Sequence, residues 1–112
     1  MSKTREELVE RVLIELGVAS AGQVANAEDS AIIDAAIEPV LSDLSARGIY
    51  SFGDPDSYDD EAFDQLAMCI ANSRAKAFGG QYSEETRRVA ESRLRLLTQV
   101  YLSGQPVRVE YF

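Results

Sequence analysis

Apolar residues return every three or four positions in four stretches of the chain, the spacing of helices with one buried stripe. In the first stretch Leu8, Val9, Val12, Leu13 and Leu16 share a face, with Glu6, Glu10 and Arg11 turned outward. Thr4 and Glu7 have the spacing of a capping box, which predicts a helix starting at Arg5; Gly17 offers the left-handed residue that ends it, with Val18 folding back. In the second, Asn26 with Asp29 predicts an N-cap before a stripe of Ile32, Ile33, Ala36, Ile37, Val40, Leu41 and Leu44, closed by Gly48. Pro39 lies inside that stripe, where it removes a backbone donor and crowds the carbonyl of Ala35, so a kink is expected.

Ile49, Tyr50 and Phe52 predict a hydrophobic return to the core, and the run from Gly53 to Asp60 has the turn formers and acids of an exposed loop. Asp59 or Ser57 is the expected cap of a third helix, with Phe63, Leu66, Ala67, Ile70, Ala71 and Phe78 inward and Gly79-Gly80 as its stop. Ser83 predicts a fourth, with Glu84 and Glu85 at its positive end, Val89, Leu96, Leu97, Val100 and Tyr101 inward, and Arg87, Arg88 and Arg95 outward. It should end near Gly104. Beyond it, residues 106–112 alternate with period two and are rich in β-branched and aromatic side chains, the pattern of a strand with no partner elsewhere in the sequence. The expected fold is all-α: a small bundle of four main helices over residues 1–104 and an extended C-terminal docking arm or strand over 105–112.

Composition narrows the chemistry. At 112 residues the chain is one domain long and can bury an ordinary core without staples. One cysteine, Cys69, and no histidine leave no structural zinc site and no Ser-His or Cys-His nucleophile. No cofactor or metal is expected. Net charge of -8 argues against duplex binding, which needs a basic face. No apolar run long enough to span a membrane and no signal-like start are present, so a protein made in a reducing cytoplasm is expected.

Several constellations have bland alternatives. Asp54 and Asp56 open like a calcium loop, but Tyr58, Asp59 and Gln65 stand where further ligands, the turn glycine and the closing glutamate belong, which favours a solvated loop. Glu15 and Glu38 are the acids nearest apolar faces, yet nothing pairs them as a glycoside-cleaving couple. Cys69 reads as a small core residue. Arg87, Arg88, Arg93 and Arg95 are interleaved with Glu84, Glu85 and Glu91, and so read as a solvated face.

Charge is distributed unevenly. Residues 28–64 hold eleven acids and one base, a net -10, whereas the other residues hold ten bases and eight acids, a net +2. Such polarity either lets identical copies dock head to tail, the geometry that makes rings, or is simply a soluble acidic surface. The C-terminal strand points to a partner: Val107, Val109, Tyr111 and Phe112 are the expected docking residues, because an unpaired strand is satisfied by joining another chain's sheet; a disordered tail or a strand packed on its own helices is the bland alternative.

On these residues a family resemblance is visible. The run Thr4-Arg5-Glu6-Glu7-Leu8-Val9, continuing through Leu13-Ile14-Glu15-Leu16-Gly17-Val18, the acidic second helix ending Leu44-Ser45-Ala46-Arg47-Gly48, Phe63-Asp64-Gln65-Leu66-Ala67, Ala77-Phe78-Gly79 and the Ser83-capped last helix resemble the head-to-tail adaptors of tailed bacteriophages, in particular the tail accessory factors of short-tailed phages. The resemblance covers residues 4–100. It implies a virion protein at the head-tail junction, a ring of about twelve copies beneath the portal that joins capsid to tail and helps retain packaged DNA. Its implied partners are the portal protein, neighbouring copies of itself and the next tail or nozzle protein, with DNA passing the lumen without specific binding. The C-terminal arm would reach the portal. Asp54, Asp56, Asp59 and Asp60 would line the lumen or the inter-subunit face, where like charge keeps DNA from sticking. The arm is short, and Ser45 and Ala46 stand where the family often has an aromatic. Cell-wall hydrolysis, credited to some members of the family, is the enzyme alternative, and a helical interaction module that forms no ring is a third.

Overall fold

The computed structural model describes residues 2–19, 26–51 and 57–103. The chain forms a bundle of four helices, α1 (Arg5–Glu15), α2 (Ala27–Ala46), α3 (Asp60–Ser73) and α4 (Glu84–Ser103), with a 3₁₀ turn at Ala75–Phe78 and two short strands, β1 (Ser2–Thr4) and β2 (Ser57–Asp59). The expected all-α bundle is the observed one, with a small antiparallel ribbon added.

Local chemistry accounts for most helix ends. The Thr4 hydroxyl accepts from the Glu7 amide and the Glu7 carboxylate accepts from the Thr4 amide, so the capping box starts α1 at Arg5. Asn26 accepts from the amides of Glu28 and Asp29 and starts α2. At the ends of both helices the amide two residues past the cap returns to the last turn, Val18 to the Leu13 carbonyl and Ile49 to that of Leu44, while Gly17 and Gly48 take positive φ. Ile49 is fully buried by that return, whereas Val18 stays largely exposed. α2 continues unbroken through Pro39.

Three expectations are corrected. Ser57–Asp59 is strand rather than loop: it pairs antiparallel with Ser2–Thr4, Lys3 opposite Tyr58, and buries Tyr58 against the core. Asp59 holds the N-cap position of α3 but makes no side-chain cap bond; after burial, its charge helps push the Tyr50 hydroxyl up to about 12. α3 ends at Ser73 rather than continuing to Phe78; the Ser73 hydroxyl bonds back to the Ile70 carbonyl, and the chain tightens to three-residue spacing, with the Ala77 amide on the Arg74 carbonyl. Gly79, at positive φ, then ends that turn.

α3 is the central element and packs on α1, α2 and α4. Its Phe63, Leu66, Ala67 and Ile70 meet Leu8, Val12 and Leu13 of α1, Ile33, Ile37 and Leu41 of α2, and Leu94 of α4 in one buried cluster. The surface adds ion pairs across elements, Arg5 to Asp34 at 2.6 Å and Arg11 to Asp64 at 2.8 Å, each exposed and each contributing little.

Candidate functional site

The last helix has two candidate apolar stripes one residue apart in register, so its rotation decides what it buries. Position 83 is held first. The buried Asn72 amide donates to the Ser83 carbonyl at 3.0 Å and accepts from the Ser83 amide at 2.8 Å, while the Ser83 hydroxyl accepts from the Thr86 amide. The start of α4 is thereby bolted to the end of α3.

Two turns further, Glu91 is buried and meets two guanidinium groups. Arg47, just past α2, donates from both terminal nitrogens to the two Glu91 oxygens at 3.0 and 2.7 Å and also binds Asp43; Arg87 adds a third bond at 2.9 Å and pairs with Glu84. Burial alone would raise the Glu91 carboxyl, but the hydrogen bonds and charge of Arg47, with the charge of Arg87, hold it below the usual carboxylate range. Arg47 is raised chiefly by its bond to Glu91 and Arg87 chiefly by its bond to Glu84. A carboxylate kept ionised between two permanent cations has no proton to give near neutrality, so the cluster acts as an electrostatic clamp. Further along, the Thr98 hydroxyl donates to the Ile49 carbonyl at 3.0 Å.

These contacts turn Ala90, Leu94 and Leu97 inward. Val89 and Leu96, expected inward, face solvent at 44% and 59% exposure, and Arg87, expected outward, folds into the clamp. Leu94 and Glu91 are the residues that sequence reasoning missed. Their signal was present as the spacing Arg87, Glu91, Leu94, Thr98, which becomes an inward stripe once a guanidinium 44 residues upstream of Glu91 is available to it. The side chains of Val100 and Tyr101 lie outside the described residues.

Beside the clamp a groove of about 250 Å³ is lined by Cys69, Asn72 and Tyr82 among others. Cys69 is buried and its thiol is pushed up to about 11, first by burial and then by the Glu91 charge, which leaves it protonated and unreactive at neutral pH. Glu15 and Glu38 do not meet: Glu15 pairs with Arg11 at 2.9 Å and Glu38 stands 3.5 Å from Arg5, both on exposed surfaces. Among the described residues, no three His, Cys, Asp or Glu side chains gather as metal ligands.

Of the acidic loop, Asp59 and Asp60 are exposed at the junction of β2 and α3, where Asp60 joins the acids of the first turn. Asp54 and Asp56 lie outside the described residues, as do Val107, Val109, Tyr111 and Phe112 of the expected docking arm. No helix among the described residues is long and apolar enough to cross a membrane. The most distinctive surface in the described region is thus the outer face of α4: apolar at Val89 and Leu96, basic at Arg88, Arg93 and Arg95, and held in that orientation by three separate sets of contacts. Compared with protein families, with characterised proteins and with solved structures, the chain matches none.

Proposed function

We propose that the chain is a structural virion protein, a head-to-tail adaptor that forms a ring beneath the portal, joins capsid to tail and helps retain packaged DNA. The observation that carries this reading is local. Among the residues that give the chain its resemblance to phage adaptors are several that start or end its turns and helices: Thr4 and Glu7 in the capping box, Gly17, Gly48 and Gly79 at positive φ, and Ser83 at the start of α4. The resemblance therefore includes positions that set the lengths and turns of the bundle beside its apolar pattern.

The surface supports the same reading. A ring subunit needs two lateral faces, and the bundle has a basic, partly apolar face on α4 and an acidic one on α2. The hydrolase alternative gains nothing from Glu15 and Glu38, which stand in separate ion pairs. In the adaptor reading residues 105–112 would dock on the portal through Val107, Val109, Tyr111 and Phe112, while Asp59 and Asp60, with Asp54 and Asp56, would face the lumen or a neighbour.

Imaging the portal vertex of intact particles tests the proposal. Ring density assignable to this chain, about twelve copies with the bundle's dimensions, is expected between portal and tail. Particles whose vertex contains no such density, or density that survives deletion of this chain, would refute it.

A further inference from the structure

Two helix faces carry apolar residues that the bundle leaves uncovered, and their charged borders have opposite sign. On α4, Val89 and Leu96 stand two turns apart on one side, 44% and 59% exposed. Arg93 lies beside both and Arg88 and Arg95 flank them, all exposed and without an ion pair among the described residues, against one acid, Glu85, a turn before Val89. On α2, Ile32 is 43% exposed, and Ala35 and Pro39 continue its side at helical spacing, both exposed. Here the borders are the acids Glu28, Glu38 and Asp43, exposed even where Arg5 leans on Glu38 and Arg47 on Asp43.

Neither face can cover the other within one chain. The core side of α2 presents Ile33, Ile37 and Leu41, and that of α4 presents Ala90 and Leu94, so both uncovered stripes point away from the shared core. The geometry points to a head-to-tail helix pairing between copies, in which the Ile32–Ala35–Pro39 face of one copy lies on the Val89–Leu96 face of the next. Apolar centres are then dehydrated together, while acids of α2 meet unpaired arginines of α4 at the rim. Small residues at positions 35 and 39 allow close approach of the helices. A groove of about 460 Å³ between α3 and α4, with Met68, Val89 and Ala90 among the acids Asp64 and Glu85 and the base Arg93, lies beside this face and gives a projecting side chain such as Ile32 a partly apolar seat. Because the two faces differ, each copy keeps one free after pairing, and the contact propagates into a ring or filament rather than stopping at a dimer. This pairing rests on the ring reading above and gives it its lateral contact.

Sedimentation of the full chain, with no portal present, tests the pairing. At about 0.5 mM and low ionic strength the wild type is expected to self-associate, and added salt to weaken it. Leu96→Glu and Ile32→Arg each spoil one face at an exposed position and should each weaken association about tenfold or more, with circular dichroism unchanged. Mixed together, the two variants should associate where neither does alone, since each retains the face that the other lacks. Placed on one chain, the two substitutions should restore association, because the new arginine meets the new glutamate. Arg93→Glu with Arg95→Glu is a second α4 variant should position 96 disturb the helix.

A wild type that stays monomeric under these conditions overturns the pairing. So does an Ile32→Arg chain that associates like the wild type, which would place α4 against α4, or a mixture that does not pair. Self-association of this kind without ring density at the vertex would sink the adaptor and leave the pairing standing; ring density with independent, non-pairing faces would do the reverse.

Discussion

Leu94→Ala is expected to destabilise the bundle by about 3 kcal/mol, whereas Leu96→Ala, two residues on and chemically identical, should stay within about 0.5 kcal/mol of the wild type. Leu94 is fully buried among α3 residues and its truncation leaves a cavity the helices cannot close; Leu96 already spends its side chain in water. Urea unfolding of the two variants measures the difference as a shift of midpoint with slope unchanged. Equal losses, or a larger loss at Leu96, would mean that α4 is rotated by one residue from the orientation described.

Glu91→Gln carries the second large effect, about 1–2 kcal/mol at neutral pH. The amide keeps the shape but leaves Arg47 and Arg87 crowded without their shared anion, and the exposure of both guanidinium groups keeps the loss below that of a fully buried pair. The sign with pH follows from the direction of the shift. The Glu91 carboxyl titrates lower in the folded chain than its ordinary value of 4.5, so its stabilisation is fully present above that value and is lost as the pH falls through the lowered native one. Wild type and variant should therefore differ most near neutrality and converge in acid. A difference independent of pH would show that the clamp acts through packing alone.

How much of this was legible in the sequence depends on how far apart the cooperating residues lie. The capping box at Thr4 and Glu7, the Asn26 and Ser83 caps and the stops at Gly17 and Gly48 involve neighbours within one turn, and each formed where the spacing predicted it; the Gly79 stop instead ends the 3₁₀ turn after α3. The ribbon was not legible: Ser2-Lys3-Thr4 and Ser57-Tyr58-Asp59 are short and polar, and their pairing needs partners far apart in the chain. Asp59 stands at the helix start as its position predicts, yet makes no cap bond there.

The rotation of α4 shows the limit most clearly. Val89 with Leu96 and Ala90 with Leu94 are both plausible inward stripes, and the apolar count favours the wrong one. What decides is polar: Asn72 on Ser83, Arg47 on Glu91 and Ile49 on Thr98 each come from another element. For the same reason the outward face, which is the functional candidate, was hidden as an expected core face. The acidic middle was legible as a charge sum; its pairing with an apolar line on α2 was not, because Ile32 had been assigned inward with Ile33.

The adaptor reading makes residues 105–112 the portal anchor, and a chain truncated after Gly104 tests that most directly. The truncated chain should keep the helical circular dichroism of the full chain, since capping box, clamp and core all lie before residue 104, and should fail to co-sediment with purified portal particles that bind the full chain. A truncated chain that binds portals as well as the full one would contradict the anchoring role.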